Sequence, residues 1–487
     1  MRSYAPLALV LGGLGVAYAA TLAPSITWAN HGADSGDLVT AAVVGGVAHP
    51  TGYPTFLLFA RAFQLIPVGD PALRTNILAL IAALAAAAIT ACVVAELCAD
   101  CGDYGPVAGA LAALGLGLAP VFWSQAVIAE VYSLNALFAA SLALFALREL
   151  QWGAAWGWPA RGRGLIAGLA LGNHVTIGLL VLGWLAAVAA GAPAGLRLRS
   201  IVVRLGWVGL GLLVYLYLPL RAATQPPINW GGPVSLAGFW WTVSGALYRS
   251  LAFGLSRELL LQRALAWGGL LVVQFGPAGV ALGFGGLIYG GGARRRLLYA
   301  SALIAAGSSL FALAYATEDA YAYLLPVYVL FAVWLGCGCG VLLAALGRSR
   351  FARLAPVAAL ACAALLVAPA PATAARVDAR HDVRAMAFAE AVLDAAPPGA
   401  IIVTTGDRDS FTLWYAHYVL GRRPDIALAV DGLLEAPWYR ANLRATYPWL
   451  NIPETLLEDW AGALDASNPG APVCVTRLDR LEPLICD

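Results

Sequence analysis

The chain has 487 residues, of which 61% are hydrophobic and 11% charged, with a formal net charge of +2. That charged share is less than half of the roughly one quarter carried by a soluble domain, so the chain cannot cover a water-facing surface. A balance so near neutral also excludes the basic footprint of a nucleic-acid binder, and the bilayer becomes the expected solvent.

In chain order, apolar blocks fall near residues 5–22, 75–97, 105–122, 133–149, 163–175, 176–192, 203–219, 266–290, 297–315, 321–346 and 354–371. A hydrocarbon core needs about 20 residues per helix, so these predict a polytopic α-helical membrane protein of about eleven spans. If Arg2 is cytoplasmic, the same face receives Arg148, Arg161 and Arg163; Arg197, Arg199 and Arg204; Arg294 to Arg296; and Arg348, Arg350 and Arg353. That is the positive-inside distribution, with the N-terminus in the cytoplasm. The opposite loops, around 23–74, 123–132, 220–265 and 316–320, are long or acidic and hold tryptophans, prolines and histidines, so function is expected to face outward. Arg2, an apolar core and Thr27-Trp28-Ala29 mimic a cleaved signal peptide. A signal anchor fits better, because cleavage would disturb the arginine alternation.

Cys98 and Cys101 form a C-x-x-C without a second pair in reach by sequence, which reads as reduced thiols rather than a zinc site. Cys337, Cys339 and Cys362 lie inside spans as packing residues. Cys474 and Cys486 fall on the outer face, where a disulfide is open to them. From about residue 376 charge density rises and apolar runs shorten to strand length. This divides the chain into a transmembrane domain, 1–375, and a soluble α/β domain, 376–487, on the outer face. Ala400 to Thr405, Phe411 to Leu420 and Asp425 to Val430 read as strand, helix and strand, a βαβ unit. Gly406-Asp407-Arg408-Asp409 follows the first strand, where α/β sheets bind ligands, although a helix cap explains it more simply.

Polar chemistry collects on the outer loops. Asn30-His31-Gly32-Ala33-Asp34-Ser35-Gly36-Asp37 places two carboxylates beside the membrane, where ionisable groups are functional hypotheses by default. Capping of the following helix is the plain alternative. His49-Pro50-Thr51-Gly52-Tyr53-Pro54 is a rigid turn presenting an imidazole and a phenol. In Ala129-Glu130-Val131-Tyr132, Glu130 is the only charge between Asp103 and Arg148, and it shares the face of Asp34 and Asp37. Asn173 and His174 sit at an outer tip, and the fourth outer loop offers Arg221, Asn229, Trp230 and Arg249. Arginines with aromatics are either snorkelling anchors or the groups a phosphate and a sugar ring require.

At these residues the chain resembles the transmembrane O-mannosyltransferases that glycosylate plexin-type receptor domains. The resemblance rests on Asp34-Ser35-Gly36-Asp37, His49-Pro50-x-Gly52-Tyr53-Pro54, Glu130-Val131-Tyr132-Ser133-Leu134, Gly172-Asn173-His174, Pro219-Leu220-Arg221 with Asn229-Trp230-Gly231, and Asp407-x-Asp409-x-Phe411-x-Leu413-Trp414-Tyr415. It implies a GT-C-like glycosyltransferase in a bacterial cell membrane. Such an enzyme moves a sugar, mannose in the family's name, from a polyprenyl-phosphate carrier to a hydroxyl on a protein, lipid or polysaccharide, with inversion. It further implies that Asp34 or Asp37 is the general base, with Glu130 as a third carboxylate. His49, Tyr53, Tyr132, Asn173, His174, Arg221, Asn229, Trp230 and Arg249 are then the substrate-binding set. Relatives often have Glu where this chain has Asp37, which leaves the choice of base open. A divalent metal, Mg or Mn, held by Asp34, Asp37 and Glu130 is an optional addition. A transporter or lipid flippase is the competing reading, and a non-catalytic scaffold a third. Transporters tend to carry internal repeats with polar groups at the midplane; here the polar groups crowd the outer ends.

Overall fold

The computed structural model describes residues 5–152, 158–289, 293–454, 459–478 and 482–486. Arg2, which anchors the expected orientation, lies outside them, as does the side chain of Arg294.

Each of the eleven predicted blocks is helical. The first is α1 (Ala5–Thr21), after which two short helices, α2 (Ser35–Val44) and α3 (Pro54–Phe63), fill the first loop. Then come α4 (Pro71–Leu97), α5 (Tyr104–Gly117), α6 (Pro120–Ala126), α7 (Tyr132–Trp152), α8 (Trp158–Asn173), α9 (Gly178–Gly191) and α10 (Arg197–Leu212). Short helices α11 (Tyr217–Ala222) and α12 (Leu236–Val243) lead into α13 (Arg257–Tyr289), α14 (Ala293–Ala314), α15 (Leu325–Arg348), α16 (Ala355–Val367) and α17 (Ala370–Val377).

Among the described residues seven helices are long and apolar enough to cross a membrane, or eight if α5 and α6 form one span bent by 74°. This falls below the predicted eleven for reasons visible in the chain. Pro120 interrupts the third block; α1 and the helical stretch 175–191 are short apolar helices. The 16 residues of α8 would rise about 24 Å, less than the roughly 30 Å hydrocarbon thickness. Leucines 9, 303 and 360 remain exposed on the helical body, as lipid-facing residues must. The protein is a polytopic helical membrane protein.

Inside the bundle, Glu149 on α7 accepts hydrogen bonds from Arg163 of α8 (2.9 Å) and Arg204 of α10 (3.0 Å), all three buried. Two arginines expected in cytoplasmic loops thus sit within helices and tie three of them together.

All strands among the described residues lie in the C-terminal quarter: β1 (Ile401–Thr404), β2 (Ala427–Val430), β3 (Val473–Thr476) and β4 (Leu484–Cys486). Their order is β2-β1-β3-β4, with β1 parallel to β2 and β3, and β4 antiparallel to β3. The parallel β1–β2 pair crosses over through α19 (Asp407–Trp414), the second helix after α17, α18 being Arg384–Ala395. Cys474 and Cys486 face each other across β3 and β4 and are joined by a disulfide. Cys98 and Cys101 are buried and in no disulfide.

Replacing Glu149 by Gln would strand two buried guanidinium groups. Removing one partner of a buried ion pair costs about 3–5 kcal/mol, so the Glu149→Gln protein should show a clearly lower melting temperature in detergent, measured by intrinsic fluorescence.

Candidate active site

The first loop is pinned before it reaches its carboxylates. Asn30 and His31 adopt positive φ of 57° and 60°, a conformation that needs outside support in non-glycine residues. Asn30 Nδ2 donates to the carbonyl of Val377 (2.8 Å), while Asp382 accepts from Thr27 Oγ1 (2.5 Å) and from the backbone N–H groups of Trp28 (3.0 Å) and Ala29 (2.7 Å). Asp34 then stands at the N-cap position of α2 but makes no capping hydrogen bond. The capping explanation therefore fails for Asp34, and its carboxylate is left pointing into a cavity.

Asp37, one turn further on, is completely buried. Its Oδ2 accepts from the backbone N–H (3.0 Å) and Nδ1 (2.7 Å) of His49, and its Oδ1 accepts from Trp230 Nε1 (3.0 Å). Both oxygens are thus engaged. Trp230 is delivered by a bridge between distant loops: Val47 N donates to Ile228 O (2.9 Å) and Trp230 N donates to Val47 O (3.2 Å). A Cβ on Gly46 would collide with the Ile228 carbonyl, which explains the glycine there.

The far nitrogen of His49, Nε2, lies 3.7 Å from Asp34 Oδ2. Burial alone would lower the imidazole pKa. The negative charge of Asp34, the hydrogen bond to Asp37 and its charge more than offset this, pushing it up to about 9. The Asp34 carboxyl, 37% exposed into the cavity, is pushed up to about 6 by burial, against the opposing charge of His49 and with the charges of Asp407, Asp319 and Asp37 adding to the rise. Glu130 is buried, and burial followed by the charges of Asp34 and Asp319 raises its pKa, favouring the neutral acid.

The cavity has a volume of about 540 Å³. Of the sequence-predicted residues, Asp34, His49, Tyr53, Tyr132, His174 and Arg249 line it. Tyr53, Tyr132 and Tyr323 surround the His174 ring at centroid distances of 5.9, 5.7 and 5.5 Å. Burial, then the nearby His49 charge, lowers His174 to about 4, leaving it neutral. Arg249 donates to Ser244 Oγ (2.7 Å) and is otherwise exposed.

The other predicted residues stand outside the lining. Arg221 Nε donates to the carbonyl of Gly45 (2.6 Å) at the end of α2, where a cation complements the helix dipole. Asn173 Nδ2 donates to Val131 O (3.2 Å), Asn229 Nδ2 donates to Ala222 O (3.4 Å), and Trp230 is spent on Asp37. These four lie behind the lining, each donating a hydrogen bond to a backbone carbonyl or to Asp37. The expected metal set of Asp34, Asp37 and Glu130 is likewise not assembled. Asp37 is saturated by donors, Glu130 does not line the cavity, and among the described residues no group of three His, Cys, Asp or Glu side chains is placed to hold a metal ion.

The cavity also contains residues outside the predicted site set: Asp407 and Arg408 at the start of α19, in the stretch weighed between ligand binding and a helix cap, and Thr317, Glu318 and Asp319 of the 316–320 outer loop before α15. The signal for α19 was Gly36. A Cβ there would run into the backbone of Phe411, so only glycine lets α19 lie against α2. Phe411 then stacks on His49 with ring planes 12° apart, and Trp28 Nε1 donates to Thr412 Oγ1 (3.0 Å).

A second cavity, about 610 Å³ and lined mostly by leucine and valine, chiefly those of α9 and α10, shares Val175, Thr176, Phe311 and Tyr323 with the first. Polar chamber and apolar groove are therefore adjacent, with those four residues bordering both.

Residues 34–191 match the family described as the protein O-mannosyl-transferase TMEM260 N-terminal domain, and residues 385–457 match TMEM260-associated domain 2. Mouse (Mus musculus) protein O-mannosyl-transferase TMEM260 is 27% identical over 453 residues, covering 87% of this chain and 62% of its own length. This chain thus spans under two thirds of that relative. Among solved structures, ArnT from Cupriavidus metallidurans bound to undecaprenyl phosphate superimposes with a TM-score of 0.61 at 12% identity, covering 96% of this chain and 92% of that one. Its apo state gives 0.57 over the same shares. The likeness to ArnT establishes a shared fold.

Alanine at Gly36 should separate α19 from α2. Overpacking of this kind costs about 1–3 kcal/mol, so Gly36→Ala should melt several degrees lower in detergent, whereas Gly12→Ala, with open space around it, should leave the melting temperature unchanged.

Proposed function

We propose that this chain, a relative of the TMEM260 O-mannosyl-transferases that shares the ArnT fold, is a membrane glycosyltransferase. It transfers a sugar, mannose by analogy with the mouse relative, from a polyprenyl-phosphate carrier to a hydroxyl acceptor. The single observation that carries this reading is the chamber holding a carboxylate, Asp34, that makes no capping hydrogen bond and stands beside an apolar groove sharing four of the chamber's lining residues. A lipid-borne sugar phosphate has those two halves: the chain lies in the groove and the sugar reaches the carboxylate.

Asp34 is the general base. Its carboxylate takes the proton of the acceptor hydroxyl as that oxygen bonds to the anomeric carbon, and the bond from that carbon to the carrier phosphate breaks. A single displacement inverts the anomeric centre. Asp37 is a positioning residue that holds His49, whose second nitrogen faces Asp34 and whose positive charge favours the ionised base. Charge developing on the leaving phosphate is met by Arg249, the remaining cavity arginine of the predicted set, and by the His49 imidazolium. The tyrosines around His174 supply flat faces and hydroxyls for the sugar ring.

In this reading residues 1–375 form the transmembrane catalytic domain, with its base in the 23–74 loop, and 376–487 form an extracytoplasmic α/β domain. Confinement of every described strand to 401–486 and the disulfide there support that division. The N-terminus is cytoplasmic by the arginine distribution. Glu130 acts as a buried neutral acid beneath the base rather than as a second base.

The test is transfer of radiolabelled mannose from polyprenyl-phosphate mannose to membrane acceptors, followed from pH 5 to 10. Asp34 must be ionised to accept a proton, so the rate should climb as pH passes about 6. It should fall again as His49 loses its charge near 9. The two limbs report macroscopic values of the coupled pair. Failure of the wild-type protein to transfer from any polyprenyl-phosphate sugar would instead favour a transporter.

A further inference from the structure

The first turn of α19 carries two charged side chains with no duty in the fold. Its neighbour Asp409 carries that duty: Asp409 accepts from the backbone N–H of Thr405 (2.8 Å) and Gly406 (2.9 Å) and from Thr476 Oγ1 (2.5 Å), which closes the turn after β1 and ties it to β3. Asp407 and Arg408, by contrast, are exposed, and among the described residues neither side chain makes a hydrogen bond or ion pair. Both nevertheless line the cavity that contains Asp34 and His49. Burial raises the Asp407 carboxyl, the His49 charge opposes that rise, and the charges of Asp37, Asp409 and Asp319 add to it. A charged pair that lines the cavity without a hydrogen bond or ion pair to the fold points to a partner that arrives from outside.

The geometry also says which reactant that partner is. The residues shared by the chamber and the apolar groove, Val175, Thr176, Phe311 and Tyr323, flank α9, α14 and α15, and none belongs to α19. The groove side is taken by the lipid-borne donor, so the α19 side is left for the acceptor.

We propose that Asp407 and Arg408 form an acceptor-positioning pair, presented by the C-terminal sheet through the seating of α19 on Gly36. The Asp407 carboxylate accepts a hydrogen bond from, and the Arg408 guanidinium donates to, polar groups flanking the nucleophilic hydroxyl. Together they fix that hydroxyl within reach of Asp34. The C-terminal unit is then part of the active site and sets acceptor specificity, while donor recognition belongs to the membrane helices. The pair touches neither the carrier phosphate nor its lipid, so its loss should appear in acceptor affinity alone. This inference rests on the glycosyl-transfer reading above.

The experiment uses full-length protein in detergent, radiolabelled polyprenyl-phosphate mannose at saturation, and a titrated detergent extract of membranes from cells lacking this protein as the acceptor probe. Asp407→Asn and Arg408→Gln should each raise the extract concentration needed for half-maximal rate by about tenfold or more, the size expected for one lost charged hydrogen bond. The limiting rate should stay within about threefold, the donor KM should not move, and Asp407→Glu should restore most of the affinity. A structural role would instead lower the limiting rate and the melting temperature together, with the acceptor half-saturation unchanged. That pattern, or an equal rise in donor KM, overturns the proposal while leaving the transfer reading intact. Absence of any transfer by the wild-type protein overturns the transfer reading itself, and this inference with it.

Discussion

The Asp37 carboxylate is a buried acceptor that receives three donors from two loops, the backbone and ring nitrogens of His49 and the indole of Trp230, which lies 193 residues away in the chain. A completely buried carboxylate left without partners would cost several kcal/mol, and with them it becomes a fixed point. Everything in the chamber is referred to that point. It aims the far nitrogen of His49 at Asp34, it requires the Val47 to Asn229 bridge that delivers Trp230, and it leaves Phe411 a flat ring to stack on. Two aspartates of one four-residue motif thus take different parts, because one is saturated with donors and the other lacks even the capping bond its position offers.

The C-terminal sheet is coupled to this arrangement through little surface but tight sterics. Gly36 admits the backbone of Phe411, and Asp409 keeps the turn after β1 in shape. The first loop is in turn held by Asp382, which follows the last membrane helix. Loop, membrane helices and sheet therefore converge on one chamber: Asp34 and the His49 that Asp37 holds come from the first loop, the groove from the helices and the rim from α19.

Much of this was legible in the sequence, because the bilayer constrains composition so strongly. All eleven apolar blocks are helical, and the strand-helix-strand after residue 400 is present with Asp409 as the cap expected of it. The motif residues Asp34, His49, Tyr53, Tyr132 and His174 gather in one cavity although they come from three separate loops. The rest was hidden for identifiable reasons. Arg221 carries the right chemistry for a phosphate, but a helix C-terminus competes for the same cation, and sequence spacing cannot tell the two apart. Arg163 and Arg204 look like loop charges until Glu149 is seen between them. Asp407 and Arg408 follow a strand, where ligands bind, but the chamber's other walls are more than 80 residues away, so the local pattern alone could not choose between a binding role and a helix cap. Block lengths, finally, fix where helices lie better than whether each one crosses, as the break at Pro120 illustrates.

The claim on which the account turns is that Asp34 performs the proton transfer and Asp37 only arranges it. Single-turnover transfer with donor already bound separates the two, using Asp34→Asn and Asp37→Asn in protein whose melting temperature and donor affinity are known. The account predicts that Asp34→Asn slows the chemical step by about 10²- to 10⁴-fold at unchanged donor affinity, the usual value of a general base. Asp37→Asn should retain measurable chemistry with its alkaline limb displaced, because His49 loses its carboxylate partner. An Asp34→Asn protein that turns over near the wild-type rate, with Asp37→Asn inactive but folded, would contradict it and assign the base to Asp37.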